Sequence, residues 1–291
     1  MRKIKNAIYY IVGLIVFILA IITIFDDFIS ESHAIITDNT VSNNMIIHYL
    51  DVGQGDATFI ELPDGKVLLL DGGEYKYEKK VENYIRDLGY SKIDYIIGTH
   101  PHSDHIGSLY YIINHFDVGK VYFPKINSST KTYEYFLRAI NNKNLKVKVA
   151  KAGVKIQNYD NFKIYFISPT KDYYEEENNY SAVLKIDYNN KSFLFMADAE
   201  KLIEDEIKVD VKANAIRVGH HGSFSSSSIG FVNRVKADYA IISVGDNDYN
   251  LPRKDIINRW QNSGATVYRT DKNGNIKLTT NGIRIKIETE R

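Results

Sequence analysis

The pattern of hydrophobic and polar positions divides the chain into three stretches. The run that begins at Ala7 and ends at Phe25, AIYYIVGLIVFILAIITIF, has no charged position and no polar face. About 19 such residues is the length a helix needs to cross a bilayer. From residue 30 to residue 44 the chain is polar, without apolar periodicity, and reads as a tether. From Met45 onward short apolar runs alternate with turn residues and with segments of helical period.

The ordered part opens with MIIHYLDVGQGDATFIEL, two strands about a Gly-containing turn, followed by the hairpin turn Pro63-Asp64-Gly65 and a returning strand, KVLLLDGG. Residues 80–90 have helical spacing and a Gly stop at Gly89. IDYIIGTH is a buried strand, and a helix is predicted at 107–116. A strand in GKVYFP, a helix at 130–144 and a strand at 145–150 come next. Strands follow at 162–169, 181–188 and 191–198, then a short helix in EKLIEDEIK and a strand in ANAIRVGHHGS that runs into a loop. IGFVNRV is helical, ADYAIISVG a buried strand and PRKDIINRWQNSG a helix; ATVYRT and GIRIKIE are the closing strands. Many strands are apolar throughout, so both faces are covered. That predicts an α/β protein with two sheets packed together and helices outside. No linker interrupts residues 45–291, so the expected organisation is an anchor (1–29), a linker (30–44) and one domain (45–291).

Charge sharpens this picture. Arg2, Lys3 and Lys5 precede the apolar run and Asp26 and Asp27 follow it, so the domain is expected outside the cell, on a single-pass membrane anchor. The alternative is secretion after signal cleavage, with Ser32-His33-Ala34 as the one cleavage candidate. The formal net charge of the chain is +1, and beyond residue 25 there are 34 bases against 36 acids. A nucleic-acid site must therefore be a local patch or depend on metal. The chain has no cysteine, which excludes disulfides, thiolate metal sites and cysteine nucleophiles.

The chemistry concentrates in THPHSDHIG, at the end of a buried strand. Imidazole and carboxylate suit zinc, manganese or iron. In an extended segment alternate side chains share a face, so His100 and His102 are placed to hold one ion, with Asp104 and His105 beyond a turn to hold a second. Asp104 is also placed to orient an activated water. GSFSSSSIGF, which includes Ser223, allows two readings that can both hold: a helix N-cap among Ser226–Ser228, or a phosphate seat of hydroxyls and helix N–H groups.

His-x-His-x-Asp-His after an apolar strand resembles the signature of the metallo-β-lactamase superfamily of hydrolases. The blocks DVGQGDATFIELPDGKVLLLDGG, THPHSDHIG, VGHHGS and AIISVG…YNLPRKDIINRWQNSGATVYRTDKNG are similar, in order, to the soluble domain of ComEC-type competence proteins. The resemblance implies a four-layer αββα sandwich with the site along one edge between the sheets. It implies that Asp71 orients a histidine ligand or braces its loop, that Asp198 is a bridging ligand, and that His220 or His221 supplies the last ligand, His220 being preferred and His221 lining the pocket. Asn179 and Ser181 are expected to face the site where the superfamily often has a further histidine. Asn250 and Leu251 stand where relatives often read Gly-His.

The resulting expectation is a membrane-anchored hydrolase using one or two divalent ions, zinc or manganese, to activate water against a phosphodiester, with nucleic acid as the favoured substrate. Two alternatives remain: an amide, ester or lactone hydrolase on the same ions, and a non-catalytic surface binding module that kept the fold.

Overall fold

The computed structural model of the protein describes residues 44–291. The expected anchor at 7–25, and the linker up to residue 43, lie outside the described residues. Among the described residues no helix is long and apolar enough to cross a membrane.

β1 (Met45–Tyr49), β2 (Ala57–Glu61) and β3 (Val67–Gly72) form an antiparallel meander. The turn expected at Pro63–Gly65 closes it, with Leu62 N–H donating to Lys66 O at 2.8 Å and Gly65 at φ 79°. β4 (Lys92–Ile97), β5 (Asp117–Phe123) and β6 (Val147–Val149) then add in parallel beside β3. The chain crosses to a second sheet with β7 (Lys155–Asn158), β8 (Phe162–Phe166), β9 (Leu184–Tyr188) and β10 (Lys191–Phe195), all antiparallel. β11 (Ala215–Arg217), β12 (Tyr239–Ile242) and β13 (Thr266–Arg269) continue that sheet in parallel. β14 (Ile276–Thr280) and β15 (Ile285–Thr289) return to the first sheet, whose order is β15-β14-β1-β2-β3-β4-β5-β6. The second sheet has the order β13-β12-β11-β10-β9-β8-β7.

Alternation along the strands explains the layering. Leu68 and Leu70 of β3, Ile97 of β4 and Phe193 and Phe195 of β10 all enter the core between the sheets. Their neighbours Val67, Leu69 and Ile96 point the other way, onto Val81 and Ile85 of α1 (Glu78–Asp87). After the single turn α2 (Ser103–Ile106), α3 (Leu109–His115) adds Ile112 to this outer core and α4 (Lys131–Asn142) adds Phe136. On the second sheet Leu194 and Ile216 face an outer core made by three further helices. Ile203 comes from α5 (Lys201–Glu206), Phe231 from α6 (Ile229–Val235) and Trp260 from α7 (Lys254–Asn262). The four layers are therefore α, β, β, α, each inner strand buried on both faces. Residues 44–291 make one compact unit.

The elements depart from expectation in four places. A helix begins at Ser103, so His105 lies in a helical turn. β7 is an edge strand with only Gln157 buried, so it carries no apolar signal. β14, between the two expected closing strands, was not expected and alternates buried Ile276 and Leu278 with exposed Lys277. A short helix, α8 (Thr270–Asn273), follows β13 directly.

Candidate metal centre

The site forms where strands of both sheets end at one edge, the usual place for function in sheets with parallel strands. Asp71 lies at the end of β3, and the Thr99–His105 turn follows β4. Asp198 follows β10, and His220 and His221 follow β11. Rigid, doubly buried strands thus aim all of these side chains.

The first group of donors is Asp104, His105, Asp198 and His221. His105 Nε2 lies 3.1 Å from Asp198 Oδ1 and 3.8 Å from Asp104 Oδ2. His221 Nε2 lies 3.2 Å from Asp104 Oδ2 and 3.5 Å from Asp198 Oδ1. A tetrahedral ion with ligands at about 2.1 Å needs donor–donor separations of about 3.4 Å, and these four bracket that value. His105 Nε2, His221 Nε2 and Asp198 Oδ1 are also buried, facing one another without a well-aligned hydrogen bond. Buried polar atoms normally have well-formed partners, so three such atoms converging on one point fit a divalent cation.

The second group is His100, His102 and Asp198. His100 Nε2 faces His102 Nδ1 at 3.1 Å and Asp198 Oδ2 at 3.7 Å. Asp198 therefore turns one oxygen to each group, the arrangement expected of a bridging carboxylate. His220 Nε2 approaches the same Oδ2 at 3.6 Å, beside this second group.

The electrostatics call for a cation. Burial opposes charge on His105, but the carboxylates of Asp198, Asp104 and Asp71 outweigh it and hold its pKa well above the ordinary value. The His221 pKa is pushed up to about 9, with burial opposing and Asp198, Asp104 and Asp56 prevailing. Conversely, burial works against ionised Asp198 and Asp104, while His105 and His221 hold both below the usual carboxylate range. His100 is pushed well below its ordinary value by burial and then by His105. Imidazolium protons here occupy positions a metal would take, so protons and metal compete.

Behind the donors stands a bracing layer. Asp71 accepts from Thr99 N–H at 2.8 Å and from the Thr99 hydroxyl at 2.9 Å, and its Oδ2 meets His105 Nδ1 at 3.0 Å. Asp71 thus fixes the Nδ1 side of the His105 ring. Sequence reading missed Arg217, Asp56 and Thr58. Arg217, fully buried, sets Nη2 3.0 Å from Asp56 Oδ2 and 3.4 Å from Asp71 Oδ2, and Nη1 donates to Thr58 Oγ1 at 2.9 Å. Asp56, Asp71 and His105 also cluster as potential donors, but the guanidinium already serves those carboxylates. The available signal was a lone Arg in the apolar strand AIRV, and a second aspartate in DVGQGD.

Backbone geometry is unusual at the same place. Asp71, Ala197, His220 and His221 all have positive φ, at 59°, 48°, 49° and 52°. Such strain in non-Gly residues collects at functional sites. The successive left-handed residues turn the two histidine rings 70° apart, and His221 Nδ1 is fixed by Ser243 O at 2.9 Å. Gly55 has φ 139°, and a Cβ there would lie 2.4 Å from Asp104 O. Only glycine lets this loop approach, and Asp56 N–H donates to that same oxygen at 3.0 Å.

Three expectations need correction. His221, not His220, joins Asp104, His105 and Asp198, because the ring turn just described sets His220 Nε2 against Asp198 Oδ2, the oxygen away from that group. Asn179 and Ser181 do not face the cleft. Asn179 is buried and donates to Glu200 Oε2 at 3.3 Å, while the Ser181 hydroxyl accepts from Asp198 N–H at 3.1 Å and so braces the bridging residue from behind. Their neighbour Asn178 lines the cleft instead. The serine stretch gives most of its N–H groups to protein acceptors rather than to a phosphate seat. Glu204 accepts from Ser227 N–H and Ser228 N–H, and the Ser228 hydroxyl caps α6 through Phe231 N–H. Of the stretch, Ser223 does line the cleft. Leu251 lines it as well, at the position where the resemblance led to a histidine.

The metallo-beta-lactamase superfamily model matches residues 50–246. The chain is 30% identical to ComE operon protein 3 of Bacillus subtilis (strain 168) over 79% of this chain and 32% of that protein. It is 26% identical to Recombination protein 2 of Haemophilus influenzae over 83% of this chain and 30% of that protein. The chain thus spans about a third of the length of these curated relatives. Among solved structures, CmlA, a diiron beta-hydroxylase from Streptomyces venezuelae, superposes with a TM-score of 0.54 at 15% identity, covering 81% of this chain and 54% of that one, a likeness of fold. The sandwich, the donor cluster at its edge and the matched family model agree: this chain belongs to the metallo-beta-lactamase superfamily, with its similarity to ComEC-type competence proteins running through the described domain.

Proposed function

We propose that the chain is a divalent-metal-dependent phosphodiesterase that hydrolyses single-stranded nucleic acid outside the cell, held at the membrane by residues 7–25. The observation that carries this reading is the pair of donor groups sharing Asp198. His100, His102 and Asp198 would hold one ion, with His220 beside them, and Asp104, His105, Asp198 and His221 would hold a second. Zinc and manganese both suit imidazole and carboxylate donors. Ions bound there would supply Lewis acidity, activating water and neutralising charge on the transferred group.

The protein's own contribution is positional. Asp104 is the most solvent-facing carboxylate of its group, with a side chain 24% exposed, so it orients the attacking water. Asp71, braced by Thr99, keeps His105 directed at the centre, and Ser243 does the same for His221. A cleft of about 440 Å³ lies over the donors. Arg253 lines it and supplies a guanidinium for a non-bridging phosphate oxygen. Phe224 and Tyr249, 77% and 75% exposed, stand at its rim as faces on which bases stack.

The test is a substrate screen on the full chain with Mn²⁺ or Zn²⁺. Cleavage of a single-stranded DNA oligonucleotide and of bis-p-nitrophenyl phosphate, abolished in Asp198→Asn and His102→Ala, supports the reading. Turnover confined to lactones or nitrocefin overturns it in favour of acyl hydrolysis, and turnover of none of them, with no bound metal, favours a binding module.

A further inference from the structure

A second cavity of about 550 Å³ lies between α3 and α4, beside the metal centre. Tyr75, Tyr110 and Tyr135 line it, together with Lys131 and Arg138, and no carboxylate belongs to its wall. Tyr75 is 66% exposed and Tyr135 47% exposed. The Tyr110 and Tyr135 ring centroids are 6.1 Å apart with the planes tilted by 47°. Tyr110 is held in place, its hydroxyl donating to Glu78 Oε2 at 2.7 Å. Arg138 pairs with Glu134 at 2.5 Å, but both are exposed, so the pair is weak and a phosphate can displace it.

The cavity adjoins the catalytic cleft through a thin partition. Glu74 lines the cleft and Tyr75 the cavity. Gly107 also lines the cavity, packed so closely that a Cβ on it would lie 2.7 Å from Tyr75 N and 2.3 Å from Ser103 O. From Asp104 to Tyr110 the helical chain rises about 9 Å, one to two nucleotides of an extended strand. The domain as a whole carries no basic field, but Lys131 and Arg138 line this groove, Arg138 held only by its exposed, displaceable pair with Glu134, so together they offer the kind of local patch that nucleic-acid binding requires here. Exposed tyrosines beside cations, with no built polar recognition, suit a sequence-tolerant stacking platform.

We propose that the groove between α3 and α4 is a stacking subsite for a base of single-stranded nucleic acid, with Arg138 and Lys131 contacting its phosphates, one to two nucleotides from the scissile bond. The proposal rests on the phosphodiesterase reading for the position of that bond, but the binding it asserts does not need turnover.

The test measures binding of a fluorescein-labelled single-stranded DNA oligonucleotide to the full chain in EDTA by anisotropy. Alongside it, turnover of bis-p-nitrophenyl phosphate with metal is measured. Tyr135→Ala and Arg138→Glu should each weaken oligonucleotide binding about 5- to 100-fold, with Tyr135→Trp near wild type and bis-p-nitrophenyl phosphate turnover unchanged in all three. Tyr135-dependent binding by a protein that turns over no phosphodiester still supports the subsite while defeating the phosphodiesterase reading. Wild-type affinity in both Tyr135→Ala and Arg138→Glu, no binding by the wild type, or equal Tyr135-independent binding of duplex overturns the subsite.

Discussion

Arg217 offers a demanding check on how the site is held. Arg217→Met keeps much of the side-chain volume and removes the cation that sits 3.0 Å from Asp56 and 3.4 Å from Asp71. Asp71 retains Thr99 and His105, but Asp56, 3% exposed, loses its nearest cation and keeps only the more distant His105 Nδ1 at 3.8 Å and His221 Nδ1 at 3.9 Å. Removing one partner of a buried ion pair costs about 3–5 kcal/mol, because the other charge is left uncompensated. For a domain of this size each kcal/mol moves the melting temperature by about 2–4 °C, so the expected loss is about 6–20 °C. The assay is thermal unfolding in EDTA, so that metal binding does not contribute. Arg217→Lys keeps the charge but not the fork that reaches both Asp56 and Thr58, and should fall between wild type and Met. Adding Asp56→Asn to Arg217→Met should recover about 1–3 kcal/mol of the loss. Metal affinity of Arg217→Lys should drop about 10–100-fold, because Asp71 is less firmly held against His105. A melting temperature within about 2 °C of wild type for Arg217→Met, with unchanged metal affinity in Arg217→Lys, would refute the bracing role.

Other expectations concern the donors and their loops. His221→Ala should abolish high-affinity binding of one ion, whereas His220→Ala should weaken binding less, both read by competition with a chromogenic chelator. Gly55→Ala places a Cβ 2.4 Å from Asp104 O at a φ of 139°; it should lower turnover at least about tenfold through displacement of Asp104 while the folded domain persists by circular dichroism. Glu204→Gln leaves an amide N–H₂ facing one of two serine N–H groups and should cost about 1–3 kcal/mol by urea unfolding. The His221 pKa of about 9 lies above its unfolded value, so in the metal-free protein this imidazole is protonated at neutral pH. Metal binding at pH 7–8 must therefore release protons, and affinity should rise as pH approaches about 9. Calorimetry in buffers of different ionisation enthalpy reads this directly, and buffer-independent heats would contradict it.

Much of this architecture was written in local pattern. Strands such as KVLLLDGG and SFLFMAD are apolar on both faces, and the structure shows Leu68 and Leu69 serving two different cores. THPHSDHIG carried its chemistry in a single turn, so its four donors could be read without the fold. What the sequence hid depends on long-range pairing. Arg217 meets Thr58 across 159 residues, and nothing local says that its charge is satisfied. The choice between His220 and His221 turns on two consecutive left-handed residues, a conformation that no side-chain preference of histidine announces. Asn178 and Asn179 differ by one position in a 3-10 turn, and only the turn's orientation decides which one lines the cleft. Within the serine loop, the Ser227 and Ser228 N–H groups are taken by Glu204, more than twenty residues earlier, a pairing no local pattern announces.

Elemental analysis of the full chain, after equilibration with excess Mn²⁺ or Zn²⁺ and removal of the unbound metal, bears on all of this. Two donor groups sharing Asp198 predict two ions per chain, falling by at least one in Asp198→Asn. A folded chain that retains no divalent ion, or the same metal content in Asp198→Asn as in wild type, would contradict a shared two-ion centre.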